Sequence, residues 1–354
     1  MQKTFIIGDI HGCWEELARL LDASGYAPGD AVISVGDLVD RGPDSARVWA
    51  FFRDTPGATA IMGNHERKHV RGVLSFSQEI VRVQLGPEYD AFRKWCAALP
   101  YALETDACVV VHGGFEPGVQ LSEQREDVLS GTTGGTRYLE RQLRGRDWAE
   151  LYAGPVPIVF GHRVVGDEAR RFPHAWALDT GACHGGTLTA LELPSFTLHR
   201  VPAARNHWRG ERRRWQLPVL EARPWDEYRF AKVRRELADL RSRPASPEVR
   251  GFLDALEAWS EATEALAPEL LGPLRARAAA LAAEVGEADE KRLKQRLRQE
   301  PDAPLLFAAR RGSLDEATVR AQLQTPGAMR AAAARLGVAT GDTAWATLPP
   351  WRTS

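Results

Sequence analysis

Asp9, His11, Asp37, Asn64, His112 and His162 are the side chains best suited to hold divalent metal ions. They fall in five short motifs: Gly8-Asp9-Ile10-His11-Gly12, Gly36-Asp37-Leu38-Val39-Asp40-Arg41-Gly42, Gly63-Asn64-His65-Glu66, His112-Gly113-Gly114 and Gly161-His162. Hard divalent cations take carboxylate, amide oxygen and imidazole ligands. Asp9 and His11 lie two apart on an extended segment, so both side chains can point the same way. Asp37 is placed to bridge two ions about 3.5–4 Å apart. Asn64, His112 and His162 add neutral ligands, which leave such a pair strongly Lewis acidic toward water and a phosphoryl oxygen. His65, beside Asn64, is a candidate general acid for a leaving oxygen, and Asp40 could hold its other ring nitrogen. Arg41 offers a planar fork to phosphate oxygens. Together these residues describe metal-assisted hydrolysis of a phosphate ester.

Such side chains converge only if the elements beneath them bring them to one edge. Each motif follows an apolar, β-branched run that reads as a buried strand: residues 4–7, 31–35, 58–62, 108–111 and 156–160. Glycines at 8, 12, 36, 42, 63 and 113 let the chain turn where those strands end. Between them, residues 14–22, 43–52 (with Pro43 in the first turn), 66–73 and 88–98 read as helices. Residues 176–178, 187–192 and 197–201 read as closing strands. The alternation predicts a layered α/β core.

The ordered motifs resemble the metal-dependent phosphoprotein phosphatase family within the calcineurin-like metallophosphoesterases, over about residues 3–201. The resemblance implies a β-sandwich flanked by helices and two divalent metal ions. It implies manganese, while iron, zinc, nickel or cobalt would fit the same ligand types. Asp9, His11 and Asp37 resemble the ligands of the first metal, and Asp37, Asn64, His112 and His162 those of the second. His65 with Asp40 resembles the catalytic acid pair, and Arg41 a phosphate-binding arginine, with Asn64 also facing the phosphate. The implied reaction is in-line attack by metal-bound hydroxide on a phosphate monoester. Leu178-Asp179-Thr180-Gly181-Ala182-Cys183-His184-Gly185-Gly186 resembles the bacterial branch, which includes symmetrical diadenosine tetraphosphatases and bacteriophage-type Ser/Thr protein phosphatases. Gly-Asn-His-Glu and His-Gly-Gly favour the protein-phosphatase side, with phosphotyrosine as a further substrate. Symmetrical cleavage of dinucleoside polyphosphates is the alternative, and Tyr138, Trp148 and Tyr152 would then be the aromatic side chains to stack on adenine. A second phosphate-binding arginine is expected between the fourth and fifth motifs. Arg137 is the candidate, with Arg141, Arg144 and Arg146 as rivals.

The chain has 354 residues and an apolar fraction of 44%, enough for one large domain or two ordinary ones. The expected division is a catalytic domain over 1–202 with a cap at about 115–154, a linker over 203–225 and a helical domain over 226–354. Gly131 to Gly135 reads as a loop that could act as a flap. Apolar stripes at Phe230, Val233, Leu237 and Leu240, at Val249, Phe252, Leu256 and Trp259, and at Leu270, Leu274, Ala278, Leu281 and Val285 predict helices. Pro349-Pro350-Trp351 reads as a docked or frayed end. An Arg/Trp cluster at 208–215 and a basic helix at 290–298 carry a competing reading, a scaffold that binds RNA or a protein partner through the helical domain. Acidic residues interspersed along both segments favour a self-packed bundle instead. No apolar run approaches the ~20 residues of a membrane span, and the first strand leaves no room for a signal peptide. Four cysteines without paired spacing read as free thiols, so the expected compartment is the cytoplasm.

Overall fold

The structure is a computed structural model that describes residues 2–286 and 289–340. The expected docked end at Pro349-Pro350-Trp351 lies outside these residues. The chain divides into two compact units, Met1–Val219 and Leu220–Ser354.

The first unit is built on two five-stranded sheets among the described residues. In one, β1 (Thr4–Ile7), β2 (Ala31–Ser34) and β3 (Ala58–Ala60) run parallel, and β1 also pairs antiparallel with β9 (Thr187–Leu193), which carries β10 (Thr197–Pro202) at the edge. In the other, β5 (Val109–Val111), β6 (Ile158–Phe160) and β8 (Ala175–Ala177) run parallel, with β4 (Ala102–Glu104) and β7 (Arg170–Arg171) antiparallel at the two edges.

β1, β2, β5 and β6 read as unbroken apolar runs because both of their faces are buried. Alternation then sorts side chains between layers. Ile6, Ile33, Val35, Val110, Val159 and Leu191 point into one core between the sheets. Ile7 and Val32 point the other way, onto Leu17, Leu20, Trp49 and Phe92. Those belong to the helices α1 (Trp14–Ala23), α2 (Ser45–Asp54) and α5 (Tyr89–Ala97). On the outer face of the second sheet, Val109, Val111 and Phe160 meet Val128, Leu139 and Trp148. The result is two packed sheets flanked by helices, the β-sandwich that the family resemblance implies.

Several boundaries differ from expectation. The helix expected over 43–52 begins at Ser45. Asp44 is its cap and accepts a hydrogen bond from Arg47 N at 3.1 Å, which leaves Pro43 outside. The third helix, α3 (Asn64–Arg71), starts two residues early, so Asn64 and His65 lie in its first turn. A further helix, α4 (Phe76–Leu85), stands before α5. β4 and β7 carry too little pattern to be read, being short and at sheet edges. In the cap, α6 (Glu126–Leu129), α7 (Thr133–Gln142) and α8 (Trp148–Leu151) form. The expected Gly131 to Gly135 loop instead enters α7, where Thr132 caps Gly135 N at 3.1 Å.

The segment over 203–225, expected as an irregular linker, contains α9 (His207–Arg214) and α10 (Gln216–Glu221). Asn206 caps α9 through Arg209 N at 2.9 Å. Trp208 lies 6.4 Å from the Phe76 ring, and Trp215 Nε1 donates to Glu211 at 2.9 Å. The aromatic residues of the Arg/Trp cluster thus serve packing within the first unit.

The second unit is helical: α11 (Phe230–Arg241), α12 (Pro247–Glu264), α13 (Leu271–Val285), α14 (Glu290–Arg298), α15 (Ala303–Arg310), α16 (Glu316–Gln322) and α17 (Pro326–Arg335). The predicted stripes are buried in its core, apart from the half-buried Leu240 and Val285. The basic helix α14 buries Leu293 and Leu297, and two of its cations are tied internally, Lys294 to Glu290 at 3.1 Å and Arg296 to Glu300 at 2.6 Å. Among the described residues, no helix is long and apolar enough to cross a membrane.

Candidate metal centre

All five motifs lie just beyond the C-terminal ends of parallel strands, so the two sheets deliver them to one edge. The backbone there is forced into unusual conformations. His11, Asp37, Asp40, Arg41 and His162 have φ between 48° and 75°, a region that non-glycine residues seldom enter. Such strain persists where the surroundings over-determine it, and it concentrates at functional sites. Two glycines are needed for close approach. A Cβ on Gly161 would stand 2.0 Å from Asp9 Oδ1, and one on Gly63 2.3 Å from Asp37 Oδ1.

Hydrogen bonds then aim the side chains. His11 Nδ1 donates to the Val39 carbonyl and His112 Nδ1 to the Val35 carbonyl, each at 2.9 Å. That turns both Nε2 lone pairs inward, the usual way an outer partner orients a ligating imidazole. Asn64 Oδ1 lies 3.0 Å from both His112 Nε2 and His162 Nδ1. Asp37 Oδ1 is 3.4 Å from His112 Nε2, and Asp37 Oδ2 is 3.6 Å from His11 Nε2 and 3.9 Å from His65 Nε2. One donor atom each from His11, Asp37 and His65, and one each from Asp37, His112 and His162, fall within 4.8 Å of one another. Asp37 is common to both groups. Asp9 stands beside them, with its two oxygens accepting from His162 N at 3.0 and 3.1 Å.

The charges fit divalent cations. Asp9 is pushed well above the usual carboxylate range by burial and by the neighbouring carboxylates Asp179 and Asp37. Burial also opposes ionisation of Asp37, yet the His112 and His65 imidazoles hold it well below the ordinary value. Burial works against the charged form of His112, but Asp37 and Asp9 push it up to about 10, and burial with His112 brings His162 down to about 4. Burial and the Arg41 guanidinium hold His11 well below its usual range. That guanidinium lies on the imidazole lone pairs, with Nη1 2.9 Å from His11 Nε2 and Nη2 2.9 Å from His65 Nε2. Carboxylates, inward imidazole lone pairs and an amide oxygen around one point, with a protein cation lying on part of them, suit a pair of divalent ions.

The expected contact between His65 and Asp40 is present, at 2.5 Å from Nδ1 to Oδ2. Asp40 has further partners that the sequence reading did not single out. His69 Nε2 lies 3.0 Å from Oδ1, Gln78 Nε2 donates to Oδ2, and Asp40 N donates to Ser45 Oγ at 3.1 Å. Burial raises the Asp40 carboxyl, but His69 and His65 outweigh it and hold it far below the normal range. Glu66 was also missed as a site residue. Its carboxylate accepts from Asp37 N and Leu38 N at 2.9 Å and from Gly63 N at 3.2 Å, so it clamps the second motif to the third. Asp179 is buried near Asp9 and accepts from Gly181 N at 3.0 Å, and burial raises it to about 6. Only the position of Asp179 in a motif pointed to it; nothing in local pattern marks His69 or Gln78.

A cleft of about 1120 Å³ opens beside Asn64 and His162. Arg137, exposed on α7, lines it together with Arg67, Lys68, Arg71 and Arg125. Arg146 lines a smaller cavity of about 280 Å³ that also reaches His162, and Arg141 and Arg144 line neither. Trp148 and Tyr152, suggested as adenine-stacking surfaces, are instead buried in the cap core with Phe115 and Phe160. Tyr138 is engaged by Glu116 at 3.0 Å and by Arg125 over its ring.

The chain is similar to several known proteins. An asymmetrical bis(5'-nucleosyl)-tetraphosphatase of Bacillus thuringiensis is 30% identical over 239 residues, covering 57% of this chain and 95% of that protein. A crystal structure provisionally assigned as a diadenosine tetraphosphatase is 28% identical with a TM-score of 0.48, covering 57% of this chain and 94% of the other. A serine/threonine phosphatase of Saccharomyces cerevisiae is 16% identical with a TM-score of 0.40, covering 57% and 79%. The family model for calcineurin-like phosphoesterases matches residues 3–204, more than half the chain. The chain therefore belongs to the calcineurin-like phosphoesterase family and is a metal-dependent hydrolase.

Proposed function

We propose that this phosphoesterase hydrolyses dinucleoside polyphosphates, with two divalent ions, manganese as the first to try, held by Asp9, His11, Asp37, Asn64, His112 and His162. The observation that carries this reading is the cationic cleft. Lys68, Arg71 and Arg137 line it and make no ion pair among the described residues. Arg67 and Arg125 add two more cations, against the carboxylates Glu126, Asp127 and Glu140. A monoester phosphate needs one clamp. A chain of four phosphates needs a run of positive charge leading from the reacting group. The tetraphosphatase named among the relatives supports the same substrate class.

When bound, the ions would supply Lewis acidity toward the phosphoryl oxygens and water of lowered pKa. The protein's own residues do the rest. Arg41 swings its guanidinium from the two imidazoles onto the phosphoryl oxygens, and Arg137 holds phosphate farther along the chain. His65 then gives the proton at Nε2 to the departing oxygen. Asp40, kept anionic by its buried partners, fixes the ring through Nδ1.

A second reading, a phosphoprotein phosphatase acting on phosphoserine, phosphothreonine or phosphotyrosine, is favoured by the Gly-Asn-His-Glu and His-Gly-Gly motifs. It also fits the absence of an exposed aromatic ring among the cleft-lining residues. The test is manganese-dependent turnover of diadenosine tetraphosphate against a phosphoserine/threonine peptide at matched concentrations, with products resolved by chromatography. Dinucleotide cleavage with little peptide turnover is expected. Two ADP mark symmetrical cleavage, and ATP with AMP asymmetrical cleavage. Strong peptide dephosphorylation with negligible dinucleotide cleavage would overturn the proposal.

A further inference from the structure

Cys13, Glu16 and His207 form a second donor cluster, separate from the six candidate ligands. Cys13 stands just before α1, Glu16 in the first turn of α1, and His207 at the start of α9. One donor atom from each, a thiol sulfur, a carboxylate oxygen and a ring nitrogen, lie within 4.8 Å of one another. All three residues are at least nine-tenths buried, with exposures of 0%, 1% and 5%.

The hydrogen bonds around the cluster are lopsided. Glu16 Oε1 accepts from His207 Nε2 at 2.9 Å and Ala204 N at 3.1 Å, and Arg19 lies 3.5 Å away. Glu16 Oε2 and His207 Nδ1 are buried with no partner among the described residues. Cys13 Sγ has only a long contact to the His11 carbonyl, at 3.7 Å. Leaving a buried carboxylate oxygen and a buried imidazole nitrogen unpaired costs about 1–3 kcal/mol per group, and native structures rarely tolerate it. Glu16 Oε2 is left unpaired in a cluster where His207 Nε2 and a buried thiol face the same carboxylate, which points to a ligand that accepts electron pairs.

We propose that Cys13, Glu16 and His207 bind a structural transition-metal ion of the zinc class. Thiolate, imidazole and carboxylate are the zinc donor types, and a thiolate selects against magnesium and calcium. On binding, the thiol proton passes to solvent, and one thiolate with one carboxylate balances the dication. The ion would pin α9 to the start of α1, two residues from His11.

The test uses the full chain, stripped with a chelator and reloaded with cobalt(II). The candidate metal centre holds only nitrogen and oxygen donors, so a thiolate-to-cobalt charge-transfer band in the near ultraviolet reports the second cluster alone. The band is expected in the unmutated protein, lost in Cys13→Ser and His207→Ala, and kept in Cys96→Ser. Zinc-edge X-ray absorption of the unmutated protein should show a sulfur scatterer, a result that needs no variant to fold. Absence of both the band and the sulfur scatterer would mean that water satisfies the two atoms and would overturn the site. A band that survives Cys13→Ser would overturn the ligand assignment.

Discussion

At the scale of single residues, Asp40 is the hub of the acid machinery. It is fully buried, and its two oxygens are shared among His65, His69 and Gln78. An anion so placed orients the His65 ring through Nδ1. His65→Ala should lower turnover by about 10²–10⁴-fold with metal content nearly unchanged, because it removes an acid and leaves the proposed ligands in place. Metal analysis beside steady-state rates checks this, and a parallel loss of metal would make His65 a ligand. His69→Leu removes one partner of Asp40 without touching the substrate side. It should lower kcat and shift the pH–rate profile while KM changes little, and an unchanged profile would leave His69 with a packing role only. Asp37→Ala should deplete both metal positions, since Asp37 is common to both donor groups. Retention of two full equivalents would refute the bridge.

At the scale of elements, strand ends and tight turns hold the site. Gly63 sits where β3 gives way to α3, with Asp37 Oδ1 and the Glu66 carboxylate in the space of its missing side chain. Gly63→Ala should therefore displace the second motif and reduce metal occupancy, measurable by calorimetric titration with manganese, even though its φ of −86° suits alanine. Strand pairing away from the site offers a pH test. Glu192 on β9 accepts from His199 on β10 at 2.9 Å and from Lys3 at 3.2 Å. The His199 hydrogen bond, then Lys3 against a small burial cost, lowers its carboxyl below the ordinary value. A depressed folded pKa contributes stability that is present above the unfolded value of about 4.3 and is lost as pH falls through the folded one. Glu192→Gln should cost about 0.5–1 kcal/mol at pH 7 in urea unfolding, and the difference should shrink below about pH 4.

At the scale of the whole molecule, the first unit runs to Val219 and includes α9. Ending the chain at Pro202 would strip Glu16 of His207 and Phe76 of Trp208. Ending it at Val219 keeps both. Thermal unfolding should show a clear drop in Tm for the shorter piece relative to the longer, and the longer should keep its metal-dependent turnover. Equal Tm values would return residues 203–219 to the role of linker.

The motifs and their strands were legible because their signals are local: a β-branched run, then glycine, then a ligand type, repeated in order. The helices of the second unit were legible for the same reason, since stripes at helical spacing in Phe230 to Val285 report burial directly. Tertiary structure decided what has no local signature. His69 and Gln78 join Asp40 only because α3 and α4 fold beside the second motif. Trp148 and Tyr152 became cap core instead of a binding surface because the outer face of the second sheet needed covering. His207 met Glu16 across 191 residues because the chain brings the start of α9 back to the first turn of α1, a pairing that composition could only describe as a basic, irregular stretch. Sequence carries the period of each element, whereas which polar groups are left facing one another in a buried space depends on how the elements are stacked.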